Sequence, residues 1–212
     1  MPPAFPLRLG LYGGTFDPVH HGHLIGARDA LEQAMLDAVV WIPCARSPHK
    51  EGGPLASDAD RLALLRAALD EAEEPRFLLS RIEIARAKAD PEAPSYTIDT
   101  VRAFAAAFPG AELFWIIGAD QMPQLGTWKE AAALRRLVTF LVMDRLPAGG
   151  RKSASVPAQR TRTPAHLFPL PSPRAVSISS TEIRRRVAEG LPVGHLVPKG
   201  VAAAIAKRKL YR

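Results

Sequence analysis

The sequence predicts an α/β protein with a doubly wound, mostly parallel sheet and a small helical region over about 179–212. Short apolar runs alternate with longer stretches of helical periodicity, and most of the runs stop on Gly or Pro. The segments richest in chemically useful side chains follow strand ends or open helices, where open α/β sheets bind ligands.

Residues 7–12 form a first apolar strand, stopped by Gly13-Gly14. A helix over 24–35 leads to a second buried strand at 39–42, ended by Pro43, and then to a polar Gly/Pro loop over 47–55. The helix over 58–72 sets Leu62, Leu65 and Leu69 on one stripe. Short strands are expected at 77–79 and 82–84. Val101, Phe104, Ala105 and Phe108 give the helical spacing of 98–108, which stops at Pro109-Gly110. Strands follow at 113–117, ending at Gly118, and at 137–143; Trp41 and Trp115 lie inside strands and read as core. Residues 146–164 have the composition of a disordered loop. A last short strand falls at 167–170, and helices open at Ser179 and at Pro198 or Lys199. This is a Rossmann-like alternation, with 1–212 expected to form a single domain.

The 212 residues are 47% apolar, enough for a sizeable core. No run nears the ~18 apolar residues of a membrane helix, and residues 1–6 carry no secretory pattern. The single cysteine, Cys44, makes no internal disulfide and has no zinc-spaced companions, which fits a packed thiol in a cytoplasmic protein. The formal charge of +7 suits anionic partners, either nucleic acid or small phosphorylated molecules. Its clusters, including Arg185 and Arg186, read mainly as solvated surface.

The most informative segment runs Gly13-Gly14-Thr15-Phe16-Asp17-Pro18-Val19-His20-His21-Gly22-His23-Leu24. Two glycines after a strand let the backbone turn sharply and approach a ligand closely. His20 and His23, three apart at a helix start, face the same way, and the helix terminus adds free N–H donors and a positive dipole end. Gly22 between them keeps side-chain bulk from a bound nucleotide. A metal site would draw on further ligands, and only Asp17 lies close in sequence.

Near the C-terminus, Ile178-Ser179-Ser180-Thr181-Glu182-Ile183-Arg184 contains a capping box, with Ser179 the cap and Glu182 three residues on. The hydroxyls of Ser180 and Thr181 and the free N–H groups also suit phosphate oxygens, and Arg184 one turn on brings a fork of donors. Lys50, in Pro48-His49-Lys50, is a point charge suited to phosphate or simply a solvated lysine. Thr97, in Ser95-Tyr96-Thr97-Ile98-Asp99-Thr100, is a candidate helix cap. Asp120, in Gly118-Ala119-Asp120-Gln121, caps a helix, accepts ribose hydroxyls, or does both.

The His20-x-Gly22-His23 element resembles the HxGH signature of the adenylyl- and cytidylyltransferase superfamily, and the longer GGTFDPVHHGHL string looks like its nicotinate mononucleotide adenylyltransferase version. Residues 178–184 resemble that family's ISSTxIR motif, and the PHK, SYTIDT, GADQ and HLVP (His195 to Pro198) strings extend the likeness over nearly the whole chain. The resemblance implies that AMP moves from ATP to nicotinate mononucleotide, with release of pyrophosphate, in NAD biosynthesis. By it His20, His23 and Arg184 are catalytic. ATP would be held by Gly13, Gly14, Thr15 and Phe16, by His20 and His23, by Gly118 and Asp120, and by Ser179, Ser180, Thr181 and Arg184. The acceptor would meet Lys50, Tyr96, Thr97, Trp128 and Arg145, with Thr97 on the pyridine carboxylate and Trp128 stacked on the ring. Mg²⁺ would come with ATP, held mainly by nucleotide oxygens and water, with Asp17 the nearest protein candidate. No nucleic acid or membrane partner is implied, and a homo-oligomer stays open. The competing readings are transfer to nicotinamide mononucleotide or phosphopantetheine, and a non-catalytic nucleic-acid- or nucleotide-binding module. The last finds no interleaved aromatic and basic residues to support it.

Overall fold

The computed structural model describes residues 6–48, 53–90, 92–143, 167–170 and 177–212. In chain order they form β1 (Arg8–Gly14), α1 (His21–Gln33), β2 (Ala38–Pro43), α2 (Asp58–Ala72), β3 (Phe77–Leu79), α3 (Ile82–Ala89), α4 (Thr97–Ala107) and β4 (Glu112–Gly118). A 3-10 helix (Ala119–Thr127) follows, then α5 (Ala131–Leu137), β5 (Thr139–Met143), β6 (Leu167–Leu170), α6 (Ser180–Ala188) and α7 (Lys199–Arg208). The strands lie in the order β3-β2-β1-β4-β5-β6, and β1–β4, β4–β5 and β5–β6 pair in parallel. The order counts outward in both directions from β1, which is the doubly wound, Rossmann-like arrangement the alternation predicts. Among the described residues no helix is long and apolar enough to cross a membrane.

The chain forms two compact units interleaved along the sequence. The first comprises Met1–Gly13, Gly26–Val40 and Tyr96–Ser177. Its strands are buried on both faces: Leu9, Leu11, Trp115, Ile116, Phe140 and Leu141 are all core. Where β1 and β4 begin, Arg8 pairs with Glu112 at 2.6 Å and donates to the Ala34 carbonyl. The second unit comprises Gly14–Ile25, Trp41–Ser95 and Ile178–Arg212. In it Glu71 of α2 accepts the Lys199 and Gly200 N–H groups at 3.0 and 2.8 Å, so a carboxylate caps the positive end of α7.

Several local expectations give way. Ile82, Glu83 and Ile84 open α3 and form no strand, since an apolar-x-apolar triplet fits either period. The strand expected from 137 begins at Thr139, and Leu137 ends α5, whose start at the left-handed Glu130 (φ 53°) carries no Gly or Pro signal. The buried face of α2 is Arg61, Leu64, Leu65 and Ala68, one position off the Leu62/Leu65/Leu69 stripe. The expected loop over 146–164 lies outside the described residues.

Candidate active site

In the second unit the residues after β1 form a compact turn. The left-handed step falls on Phe16 (φ 48°), not on a glycine. Gly13 and Gly14 are the last residues of β1, and what they supply is room. In the first unit a Cβ on Gly13 would stand 2.5 Å from the Trp115 indole; in the second, one on Gly14 would stand 2.9 Å from the Phe16 ring. The buried Phe16 ring packs edge-on against His23 at 5.1 Å and tilts against Trp41 at 5.3 Å.

His20 immediately precedes α1, and its ring stacks on that of His23, with centroids 3.7 Å apart and planes 27° from parallel. The two residues close the helix start reciprocally. The His20 carbonyl accepts the His23 N–H at 2.9 Å, and the His20 N–H donates to His23 Nδ1 at 3.2 Å. The second bond is the reach-back half of a capping box, with an imidazole where Glu usually stands. In the neutral ring Nδ1 is then the acceptor and Nε2 carries the proton. The His21 N–H is taken by the Leu196 carbonyl at 3.1 Å, which gives the HLVP segment a place in the site.

Gly22 lies against the same pair. A Cβ there would come within 3.1 Å of His20 Nδ1 and 3.2 Å of its Cε1, so an alanine displaces the imidazole by a few tenths of an ångström. Gly22→Ala, in the first turn of α1, is expected to leave stability nearly unchanged, since the gain of about 1 kcal/mol for alanine over glycine belongs to a helix interior, while kcat falls roughly tenfold. Steady-state kinetics beside a urea melt check this, and unchanged kcat would refute the steric account.

The second motif packs beside the turn. Ser179 caps α6 as expected, accepting the Glu182 N–H at 3.1 Å. Ser180 Oγ donates to the Pro18 carbonyl at 2.8 Å, and Arg184 Nη1 donates to the Asp17 carbonyl at 2.8 Å while Nη2 reaches Thr181 Oγ1 at 3.3 Å. These side chains therefore join α6 to the first turn. Thr15 accepts at its carbonyl from Arg61 Nη1 at 2.7 Å. Arg185 pairs with Glu182 and Glu189 at the exposed surface.

Asp17 is buried, and its carboxylate accepts the Leu55 N–H at 2.7 Å, the Ala56 N–H at 3.2 Å and the Tyr211 hydroxyl at 2.7 Å. With both oxygens so engaged it fits a structural acceptor and not a magnesium ligand. Among the described residues no group of three His, Cys, Asp or Glu side chains is placed to hold a metal ion. Sequence reasoning missed Arg61 and Tyr211. The available signal for Arg61 was its place with Leu64, Leu65 and Ala68 on one face of α2, one turn after Asp58.

Of the acceptor candidates, Tyr96, Thr97 and Trp128 fall in the first unit. Thr97 is the first residue of α4 and not its cap; Tyr96 precedes it without a side-chain cap. Lys129 spans this corner, 4.3 Å over the Tyr96 ring and 3.5 Å from Asp99. Next to it, Glu130 takes both ends of the Arg102 guanidinium, at 2.9 and 2.5 Å. Trp128, half-buried, stands edge-on to Phe140 at 6.3 Å. Gly118 ends β4, and Asp120 lies exposed inside the 3-10 helix, so it caps nothing. Lys50 and Arg145 lie outside the described residues. Cys44, just after β2, is a packed thiol: burial and then the neighbouring Glu83 charge push it up to about 12.

Stacked histidines at a helix start, beside a serine-capped helix that brings Ser180, Thr181 and Arg184 to the same turn, are suited to binding phosphate oxygens. The chain belongs to the cytidylyltransferase-like family, whose model matches residues 11–186. Its relatives narrow the class. A chain of Methylacidiphilum infernorum named "Probable nicotinate-nucleotide adenylyltransferase" is 42% identical over 204 residues, covering 96% of this chain and 92% of its own. A chain of the same name from Thermus thermophilus is 42% identical over 206 residues, covering 97% and 100%. The fold matches that of Plasmodium falciparum nicotinic acid mononucleotide adenylyltransferase complexed with NaAD, with a TM-score of 0.75 over 97% of each chain at 16% identity.

Proposed function

We propose that this chain transfers AMP from ATP to nicotinate mononucleotide, giving nicotinate adenine dinucleotide and pyrophosphate. The observation that carries it is the stacked His20–His23 pair at the head of α1, in a chain similar over nearly its full length to relatives of that name. A phosphate oxygen of the mononucleotide attacks the α-phosphorus of ATP, and the bond from that phosphorus to the β-phosphate oxygen breaks. The acceptor phosphate is already anionic, so neither a general base nor a covalent enzyme intermediate is required. Such transfers depend on alignment and on stabilising spread-out charge. His23 Nε2–H and the His20 ring supply donors to the transferred and leaving oxygens. Arg184, Ser180 and Thr181 set the turn and bring further donors to the phosphates. Mg²⁺ accompanying the triphosphate would neutralise part of its charge and would be held by nucleotide oxygens and water, since Asp17 is otherwise engaged.

On the acceptor side, Thr97 and the free N–H groups opening α4 face a carboxylate better than an amide, and Trp128 offers a flat surface for the pyridine. The lone thiol suits a reducing cytoplasm, and 1–212 serves as one nucleotidyltransferase domain. Pyrophosphate release measured with ATP and each mononucleotide should favour the acid over the amide about 10–100-fold in kcat/KM, the worth of hydrogen bonds to a charged group. A preference for the amide would overturn the substrate assignment.

A further inference from the structure

Phe16 holds a left-handed backbone (φ 48°) that a bulky residue adopts only where its surroundings over-determine it. Both of its neighbours are pinned from behind. The Thr15 carbonyl accepts from Arg61, which is wholly buried and pairs through its other terminal nitrogen with Asp58 at 2.5 Å. The Asp17 carboxylate accepts the Tyr211 hydroxyl, delivered from the turn that follows α7, 194 positions away in sequence. The Phe16 ring between these two anchors lies edge-on against His23, whose Nδ1 in turn holds the His20 N–H. One continuous set of contacts therefore runs from Tyr211 and Arg61 through Phe16 to the donor face of the histidine pair.

We infer that Tyr211 and Arg61 are positioning residues for this reaction, Arg61 fixing the Thr15–Phe16 peptide plane and Tyr211 the Asp17 side chain that follows, and through the Phe16 ring between them the direction of His23 Nε2–H. Neither needs to touch a nucleotide. The inference rests on the reading of the histidine turn as the site of AMP transfer. Relaxing either anchor lets Phe16 leave its left-handed conformation, and a misdirected His23 weakens transition-state contacts more than ground-state binding, so kcat falls while KM holds.

Tyr211→Phe removes one hydroxyl and keeps the ring. Its expected result is a fall in kcat of about tenfold, with KM for ATP and for nicotinate mononucleotide within about twofold of wild type. Tm should move by no more than about 4 °C, as for one lost hydrogen bond. Arg61→Lys, which keeps a charge and one donor, should retain more kcat than Arg61→Met. Arg8→Met breaks the Glu112 ion pair in the first unit, away from the turn; it should lower Tm and leave kcat unchanged. NMR of the His23 imidazole reads the same contacts without turnover, and Tyr211→Phe should shift its resonances. Wild-type kcat in Tyr211→Phe, or unmoved His23 resonances, would overturn the inference. A wild-type protein that turns over neither substrate, with resonances that do move, would overturn the proposed reaction alone.

Discussion

Replacing His23 with asparagine lowers kcat by on the order of 10²–10³-fold and leaves the fold intact, the cost of one lost donor to transition-state charge. The geometry makes the asparagine variant informative. His23 uses Nδ1 to accept the His20 N–H at 3.2 Å, and asparagine places its carbonyl oxygen close to that position. The helix start therefore survives, and what is missing is the distal Nε2–H. Glutamine does the opposite: its amide reaches the Nε2 position but gives up the near acceptor, stranding the His20 N–H. The glutamine variant should keep more kcat than asparagine and lose about 1 kcal/mol of stability. Steady-state rates and urea melts on the pair separate the two nitrogens. An asparagine variant with wild-type kcat would remove His23 from the chemistry.

Both signature turns are legible in the sequence because their logic is local. His20, Gly22 and His23 sit within one helical turn, and the Ser179–Glu182 box is a three-residue spacing; each reads off neighbours and appears where expected. The sheet is legible for a similar reason, since β1, β2 and β4 are short buried runs that stop on Gly or Pro, and β2 and β4 are rich in β-branched and aromatic residues, which favours strand over helix. What escapes is whatever depends on a distant partner. Nothing near Tyr211 announces Asp17, 194 positions away, and Arg61 reaches the carbonyl of Thr15 across 46. The glycines mislead in an instructive way: their spacing suggests a backbone turn, whereas the structure uses their missing side chains to admit the Trp115 and Phe16 rings, and it puts the strained conformation on Phe16. Thr97 and Asp120 each sit one or two residues inside the helix that their residue types suit as caps; the caps are Tyr96 and Gly118, which make no side-chain cap bond and so leave no signal in residue type.

Removing the Asp17 side chain is the stability change expected to cost most, about 3–5 kcal/mol for Asp17→Ala. The carboxylate satisfies two backbone N–H groups and a phenol in a place 3% exposed to solvent, and a buried donor left without its acceptor costs about 1–3 kcal/mol. Asn at the same position keeps one oxygen, which can serve Ala56 and Tyr211, and turns an amino group toward the Leu55 N–H. Asp17→Asn should therefore lose about 1–3 kcal/mol, the cost of one donor facing another. The Tyr211→Phe change supplies the control: in the Asp17→Ala background it should cost nothing further, because the acceptor it served is already gone, and the non-additivity measures their contact. Urea midpoints at constant slope give all four values. The same series separates this role from metal binding. A magnesium ligand at Asp17 would raise the Mg²⁺ concentration needed for half-maximal rate and spare the melt. A structural acceptor lowers the melt and leaves the Mg²⁺ requirement where it was, because an ion carried on the triphosphate does not depend on this carboxylate.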